Sequence, residues 1–395
     1  MRATQAIIHL DRLIRNLHFI RNLTGTAICA PVKADAYGHG AVPVARTLLA
    51  AGAGCLGVAT VPEGASLRKA GIDAPILLFS MPDPREIPLV LRYQLSPFVS
   101  DCEGIRLLAE AARRSHTTVQ VHLKIDTGMG RIGCRPESAV ECAQNIADSP
   151  SLTYAGTATH FAVSDSTDPA DKEFTKMQLE RFCGAVALIR NAGIDPGILH
   201  TANSGAVLQY PESYFDMIRP GILLYGYAPD PALARMAPVA PVMEVRTRIS
   251  FVKSLHKGES VSYGRTWVAP GQTSIATLPI GYGDALPRLV SGKFRVLIRD
   301  RLYPLVGRIC MDQCMVDLGR DSGITRGEPV SIFGHPESLN AADIAASIGT
   351  IPYEITCNIN KRVPRVYRKS PLGQTLGPEQ KHLPQTKEFP GQPKS

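Results

Sequence analysis

Residues 28–40 read Ile28-Cys29-Ala30-Pro31-Val32-Lys33-Ala34-Asp35-Ala36-Tyr37-Gly38-His39-Gly40. Five uncharged residues run straight into a lysine and then into a glycine-punctuated turn. A short, continuously apolar run is what a strand buried on both faces looks like. Seven more such runs follow, at 55–59, 76–78, 96–99, 119–125, 153–159, 198–201 and 217–220. The segments between them read as helices, for example 62–70 and 172–191, with Gly71 and Gly193 as C-terminal stops. Eight βα repeats predict an α/β fold, a closed (β/α)8 TIM-like barrel spanning 1–235. An open doubly wound sheet would call for a GxGxxG turn after the first strand, and none occurs.

Beyond Tyr227 the texture changes. Residues 228–241, APDPALARMAPVAP, hold four prolines and read as a linker. Runs of β type then occupy 243–255, 259–267, 274–280, 294–306, 311–318 and 329–333, with helical signal only at 341–348. These predict a mostly β C-terminal domain over 236–368. Residues 369–395 are basic and proline-rich. With few large apolar side chains they cannot offset the entropy of ordering, so disorder is expected there.

The chain has 395 residues and a net charge of +8, but six of those charges fall after residue 360, where eight Lys/Arg face Glu379 and Glu388. The basic character belongs to the tail rather than to a face of the fold, which argues against a nucleic-acid partner. The longest uncharged stretch near the start, 47–62, is 16 residues broken by three glycines, too short to span a membrane. Nine cysteines, an odd number with no Cys-x-x-Cys, fit reduced thiols in a cytoplasmic protein. Cys310 and Cys314 have no second pair at zinc spacing. The N-terminal MRATQAIIHLDRLIRNL has helix-like spacing and charges where an export signal would be apolar.

Barrel active sites form at the C-terminal ends of the strands. Lys33 stands at the end of the first, where an amine of lowered pKa can form a Schiff base with a carbonyl. Tyr37 lies one helical turn on. His200-Thr201-Ala202-Asn203-Ser204-Gly205 and Arg219-Pro220-Gly221-Ile222 follow strands seven and eight, a recurrent phosphate site in barrels. A lysine opposite a phosphate cradle suggests pyridoxal 5′-phosphate.

VKADAYGHG (32–40) resembles the cofactor-lysine motif of the alanine racemases. The resemblance continues through HLKIDTGMGRIG (122–133), HTANSGAVL (200–208), IRPGILLYG (218–226), VSYGRTW (261–267), PIGYGDAL (279–286), VGRICMDQCMVD (306–317), PYEITC (352–357) and RVPRVY (362–367). It covers about residues 3 to 368 in unbroken order.

The resemblance implies a homodimer that interconverts L- and D-alanine with pyridoxal 5′-phosphate and so supplies D-alanine for peptidoglycan. By motif, Lys33 would hold the cofactor covalently. Tyr37, Ser204, Gly221, Ile222 and Tyr353 would surround its phosphate, and Asn203 and His160 would also bind the cofactor. Arg219 would face the ring nitrogen, with His200 as its support. Lys33 and Tyr263 would be the two bases, with Tyr263 coming from the neighbouring subunit. A phenol ordinarily has a pKa of about 10, so a tyrosine acting as a base needs a cationic neighbour. His160 would connect this tyrosine to the arginine. Arg131 would pair with the substrate carboxylate, Met311 and Asp312 would contact substrate, and Tyr282 would line the entrance. Lys124 matches a lysine often carbamylated in the family; an ion pair with Asp126 is the alternative.

Two motifs depart from the family pattern. His160 is followed by Phe161-Ala162-Val163-Ser164-Asp165, and Gly281-Tyr282 by Gly283-Asp284-Ala285. The other reading is a related barrel enzyme acting on another amino acid, either a broad-specificity racemase or a decarboxylase of basic amino acids. The decarboxylase would need a GGG triplet and a Cys-Asp dipeptide, and neither occurs.

Overall fold

A computed structural model describes residues 2–369. The chain begins with strand β1 (Gln5–His9) and a helix over Leu10–Thr24. Eight parallel strands follow: β2 (Ala27–Pro31), β3 (Cys55–Val58), β4 (Ile76–Leu78), β5 (Ser96–Val99), β6 (Val119–Lys124), β7 (Leu152–Ala158), β8 (Ile198–His200) and β9 (Met217–Ile218). Their order is β8-β7-β6-β5-β4-β3-β2-β9. Between β8 and β9 the ring is closed by loop bonds instead of a ladder. Asp216 N–H donates to Leu199 O at 3.1 Å, and Arg219 N–H to Ala202 O at 2.8 Å. All eight apolar runs are strands of one TIM-like barrel. Gly71 and Gly193 follow their helices with φ of 76° and 79°, the left-handed stop that glycine adopts most easily.

β1 does not belong to the barrel. It lies in the second domain's nine-stranded sheet, antiparallel to Met243–Arg248 and parallel to Arg365–Arg368. The reading of 1–235 as one unit, and of the N-terminus as helical, is corrected here. Ala6, Ile7 and Ile8 are buried on both faces of that sheet. The helical spacing comes from the segment after them, where Leu10, Leu13, Leu17 and Ile20 turn one stripe inward. Both ends of the described chain are thus sewn into one sheet, which fixes the barrel against it.

The rest of that sheet is antiparallel and finer-grained than the apolar runs suggested. Run 243–255 splits into Met243–Arg248 and Phe251–Leu255, and run 294–306 is a hairpin of Arg295–Ile298 and Arg301–Val306. Run 259–267 is a small ladder, Ser260–Val261 with Trp267–Val268, enclosing a single 3-10 turn at Tyr263–Arg265. The helix Ala341–Ile348 starts with a capping box between Asn340 and Asp343. The expected disorder of 369–395 falls, beyond Lys369, outside the described residues. No helix among the described residues is long and apolar enough to cross a membrane.

Candidate active site

One cavity of about 300 Å3 opens at the C-terminal ends of the barrel strands. Lys33, Tyr37, Lys124, Arg131, His160, Asn203, Ser204, Arg219, Gly221 and Tyr353 all line it. Ten of the residues expected at the site thus converge in one place.

After Lys33 the chain does something the spacing alone could not announce. Ala34, Asp35, Ala36 and Tyr37 all have φ between 51° and 54°, a single left-handed turn. Each such residue costs about 1–2 kcal/mol in an L-chain, so the turn must be held from outside. Glu63 Oε1 accepts from Ala34 N–H at 2.6 Å, and Asp35 Oδ1 accepts from Ala41 N–H at 2.7 Å. His39 Nδ1 lies 3.0 Å from Ala36 O and 2.9 Å from Tyr37 O, and Arg365 Nε–H donates to Gly38 O at 3.0 Å. The same Glu63 uses Oε2 to accept from Ala59 and Thr60 N–H, capping the helix Val61–Lys69. One carboxylate thus joins the turn that carries Lys33 to a neighbouring βα loop.

Reversing the hand of the turn lays Tyr37 against Tyr225, ring centroids 4.6 Å apart, and beside Tyr353 at 5.9 Å. Burial raises the pKa of both Tyr37 and Tyr353, so each phenol keeps its proton and can donate. A Cβ at Gly221 would sit 2.7 Å from the Tyr37 hydroxyl oxygen, so only glycine allows this approach. Ser204 Oγ accepts from Gly221 N–H at 2.9 Å. The Ile222 N–H meets no acceptor among the described residues. Asn203 caps the helix Ser204–Gln209 and accepts from Ser164 Oγ at 2.7 Å.

Arg219 is buried and tightly committed. Its Nη1 donates to His200 Nδ1 at 2.7 Å and to His200 O at 2.5 Å, and its Nη2 to Thr159 O at 2.6 Å and Thr201 O at 3.1 Å. A guanidinium has five N–H donors, so four are used and only Nε–H is left over. Burial lowers its pKa to about 10, which still leaves it cationic at neutral pH. Its histidine partner is His200. The ring of His160 lines the cavity without bonding to Arg219, which corrects the link expected of it.

The cavity holds an excess of positive charge. Among the described residues, Lys33, Lys124, Arg131 and Arg219 face one lining carboxylate, Asp165, whose pKa is raised by burial. Burial, then the Arg131 charge, lowers the pKa of Lys33. Burial, then Arg219 and Arg131, lowers that of Lys124 much further. The alternative of a Lys124–Asp126 ion pair is not formed: Asp126 Oδ1 accepts from Gly128 and Gly130 N–H and shapes their turn.

Four expected residues lie elsewhere. Tyr263, Tyr282 and Met311 are 71%, 43% and 54% exposed on the C-terminal domain, and Asp312 pairs with Arg362 at 2.8 Å; none lines the cavity. Ile222 is fully buried and does not line the cavity. Sequence reasoning missed Glu63, His122, Phe79 and Phe98. Glu63 carried a signal, three residues after Thr60 in a capping box, but that signal reports only the cap.

Residues 8–229 match the alanine racemase N-terminal domain family, and residues 242–367 the C-terminal domain family. The chain is 51% identical over 374 residues to an alanine racemase of Treponema denticola, covering 93% of this chain and 98% of that one. To an alanine racemase of Desulfovibrio desulfuricans it is 43% identical over 368 residues, with 93% and 98% covered. Among solved structures, an alanine racemase of Clostridium difficile superposes with a TM-score of 0.88 at 36% identity, covering 93% of this chain and 96% of that one. The alanine racemase of Bacillus anthracis with bound L-Ala-P superposes with a TM-score of 0.86 at 33% identity, with 93% and 96% covered. Its two domains, matched in order and nearly end to end, place this chain in the alanine racemase family.

Proposed function

We propose that this protein is a cytoplasmic alanine racemase that uses pyridoxal 5′-phosphate and works as a homodimer with shared active sites. The observation that carries the reading is the cation excess around Lys33. Anions offset such an excess of positive charge, and a phosphate dianion plus a substrate carboxylate would supply them. The donor set fits that cofactor. The phenols of Tyr37 and Tyr353, the Ser204 hydroxyl and the free Ile222 N–H can donate to a phosphate, with Gly221 leaving room for it. The unused Nε–H of Arg219 suits an unprotonated ring nitrogen.

When bound, pyridoxal 5′-phosphate would supply an electron sink for a carbanion at Cα of an attached amino acid. The protein does the rest. Arg219 can only donate, so it keeps the ring nitrogen unprotonated and the sink weak, which limits side reactions. Arg131 holds the substrate carboxylate with a forked donor set. Burial and the Arg131 charge lower the pKa of Lys33, which favours the free amine that takes a proton from Cα. A base on the opposite face must return a proton, and no tyrosine of this chain other than Tyr37 and Tyr353 lines the cavity; burial holds both of those protonated.

Tyr263 fits that role when brought by a second subunit. It stands 71% exposed on a short turn between Ser262 and Arg265, both in the left-handed region at φ of 68° and 48°. Strain of that kind is kept where a side chain must be presented. Met311, Asp312 and Tyr282 share the same domain: Tyr282 N–H donates to Cys310 O and Gly283 N–H to Met311 O. They would reach the partner's substrate together.

Burial, Arg219 and Arg131 favour the neutral form of Lys124, which pairs with no carboxylate among the described residues; that form can add carbon dioxide, releasing a proton and leaving a carbamate to pair with Arg131. D-alanine for peptidoglycan is the expected use of the product. Borohydride reduction of the purified protein followed by peptide mapping tests the reading. Label on Lys33 is expected; label on another lysine alone would overturn it.

A further inference from the structure

We propose that His122 is a positioning residue for Arg219: its Nδ1 accepts the Nε2–H of His200 and so fixes His200 in the one tautomer that can receive a hydrogen bond from the guanidinium. This deepens the reading above and rests on Arg219 addressing the cofactor's ring nitrogen.

An arginine donates at every nitrogen, so His200 Nδ1, 2.7 Å from Arg219 Nη1, must be an acceptor. The hydrogen of His200 is then on Nε2, inside the barrel and away from water. His200 Nε2 lies 3.0 Å from His122 Nδ1, and the two rings meet edge to face at 85° with centroids 5.0 Å apart. His122 Nδ1 must therefore be bare, and its own hydrogen is on Nε2. Arg219 at one nitrogen of His200 and His122 at the other both favour this single arrangement of hydrogens. A second proton on either ring would oppose the guanidinium, and burial keeps both neutral, His122 at about 4 and His200 well below its ordinary value.

The register of three strands shows that room has been made for this pair. In one row Lys124, Ala158 and His200 stand side by side on β6, β7 and β8; in the next, His122, Gly156 and Ile198. β7 contributes only Gly156 and Ala158 between the two histidines, so the rings reach each other across it. A Cβ at Gly156 would lie 2.6 Å from His122 Nδ1. The Phe98 ring covers the pair, with centroids 6.4 Å from His122 and 5.9 Å from His200. A histidine kept only to fill space would not need its acceptor nitrogen aimed at a neighbour's only hydrogen.

Two measurements test the proposal. Neutron diffraction from the deuterated full-length protein should show deuterium on His200 Nε2, none on His200 Nδ1 and none on His122 Nδ1. The reverse tautomer of either ring overturns it. The second compares His122→Leu, which fills the space but accepts nothing, with His122→Asn, whose Oδ1 can stand where Nδ1 stood. The leucine variant should lose roughly tenfold in kcat, the size expected for one buried donor left unpaired, with KM unchanged and the cofactor absorption band shifted. The asparagine variant should restore both kcat and the band. Equal behaviour of the two variants, normal or impaired, overturns the positioning role. If the leucine variant does not fold, the neutron map and the asparagine spectrum still decide. The neutron map reports on the histidines whatever Arg219 contacts, while the reading of Arg219 itself is tested apart, by Arg219→Glu.

Discussion

Arg219 Nη1 donates to His200 Nδ1 at 2.7 Å while both residues are buried inside the barrel. With its Nη2 bound to two backbone carbonyls, the guanidinium can neither rotate nor lose its charge cheaply. It is therefore a fixed donor with one N–H to offer. A ring nitrogen placed there is held unprotonated, and the account of catalysis depends on that.

Arg219→Glu should replace the donor with a group that leaves a proton on the ring nitrogen. Slower racemisation, a new long-wavelength absorption band in the presence of alanine and more transamination are expected. Stopped-flow absorbance and pyruvate assay check this. A variant that folds, binds cofactor and racemises normally would show that Arg219 does not face the ring nitrogen.

Glu63 holds the left-handed turn at Ala34 and caps a helix at once. Glu63→Ala should cost about 1–2 kcal/mol from the cap alone, and it should also lower kcat because Lys33 is no longer held. A Glu63→Gln variant keeps one acceptor oxygen and should fall between. Urea unfolding and steady-state kinetics on the three proteins check the order.

His39 braces the same turn, and its Nε2 is buried without a partner among the described residues, so a second proton there meets no acceptor among them. Burial holds its pKa at about 4, against an ordinary value near 6.5, with Arg365 opposing protonation as well. Below pH 6.5 the unfolded chain takes up a proton that the folded chain refuses. Stability therefore falls as pH drops from 6.5 towards 4, by up to about 1.4 kcal/mol per pH unit for each such histidine. His39→Asn keeps a donor to the turn and removes the titration. Its stability should lose about one proton's worth of slope in that window, read by urea unfolding across pH.

Lys124 pairs with no carboxylate among the described residues. A 13C resonance from added bicarbonate should appear in the wild-type protein and vanish in Lys124→Met, which should also bind substrate more weakly through a loosened Arg131. Equal 13C spectra from the two proteins would exclude the carbamate.

What was legible in the sequence follows from the kind of signal each part leaves. The barrel strands are apolar on both faces, so their C-terminal ends, and with them Lys33, Arg219 and Ser204, could be read off directly. β1 could not, because five residues of strand run without a break into a helix whose stripe dominates the window. The left-handed turn was invisible because Lys33 and Tyr37 are four apart whichever hand the turn takes. His122 looked like one more strand residue, since tautomers and ring-to-ring contacts across a glycine leave no pattern along the chain. The resemblance supplied Tyr263, Met311 and Tyr282, which lie outside this chain's own cavity.

The shared site is the centre of the account, and subunit mixing tests it most directly. Lys33→Ala and Tyr263→Phe should each fold and each lose racemisation, by roughly 10²–10⁴-fold for a removed base. When the two inactive proteins exchange subunits, a heterodimer has one site with both residues intact and one with neither. Random re-pairing makes about half the dimers mixed, each with one good site of two, so activity should approach about a quarter of wild type, assuming free exchange between C2 partners. Mixtures that stay inactive after subunit exchange has been demonstrated would place Lys33 and Tyr263 in one chain's site and contradict the account.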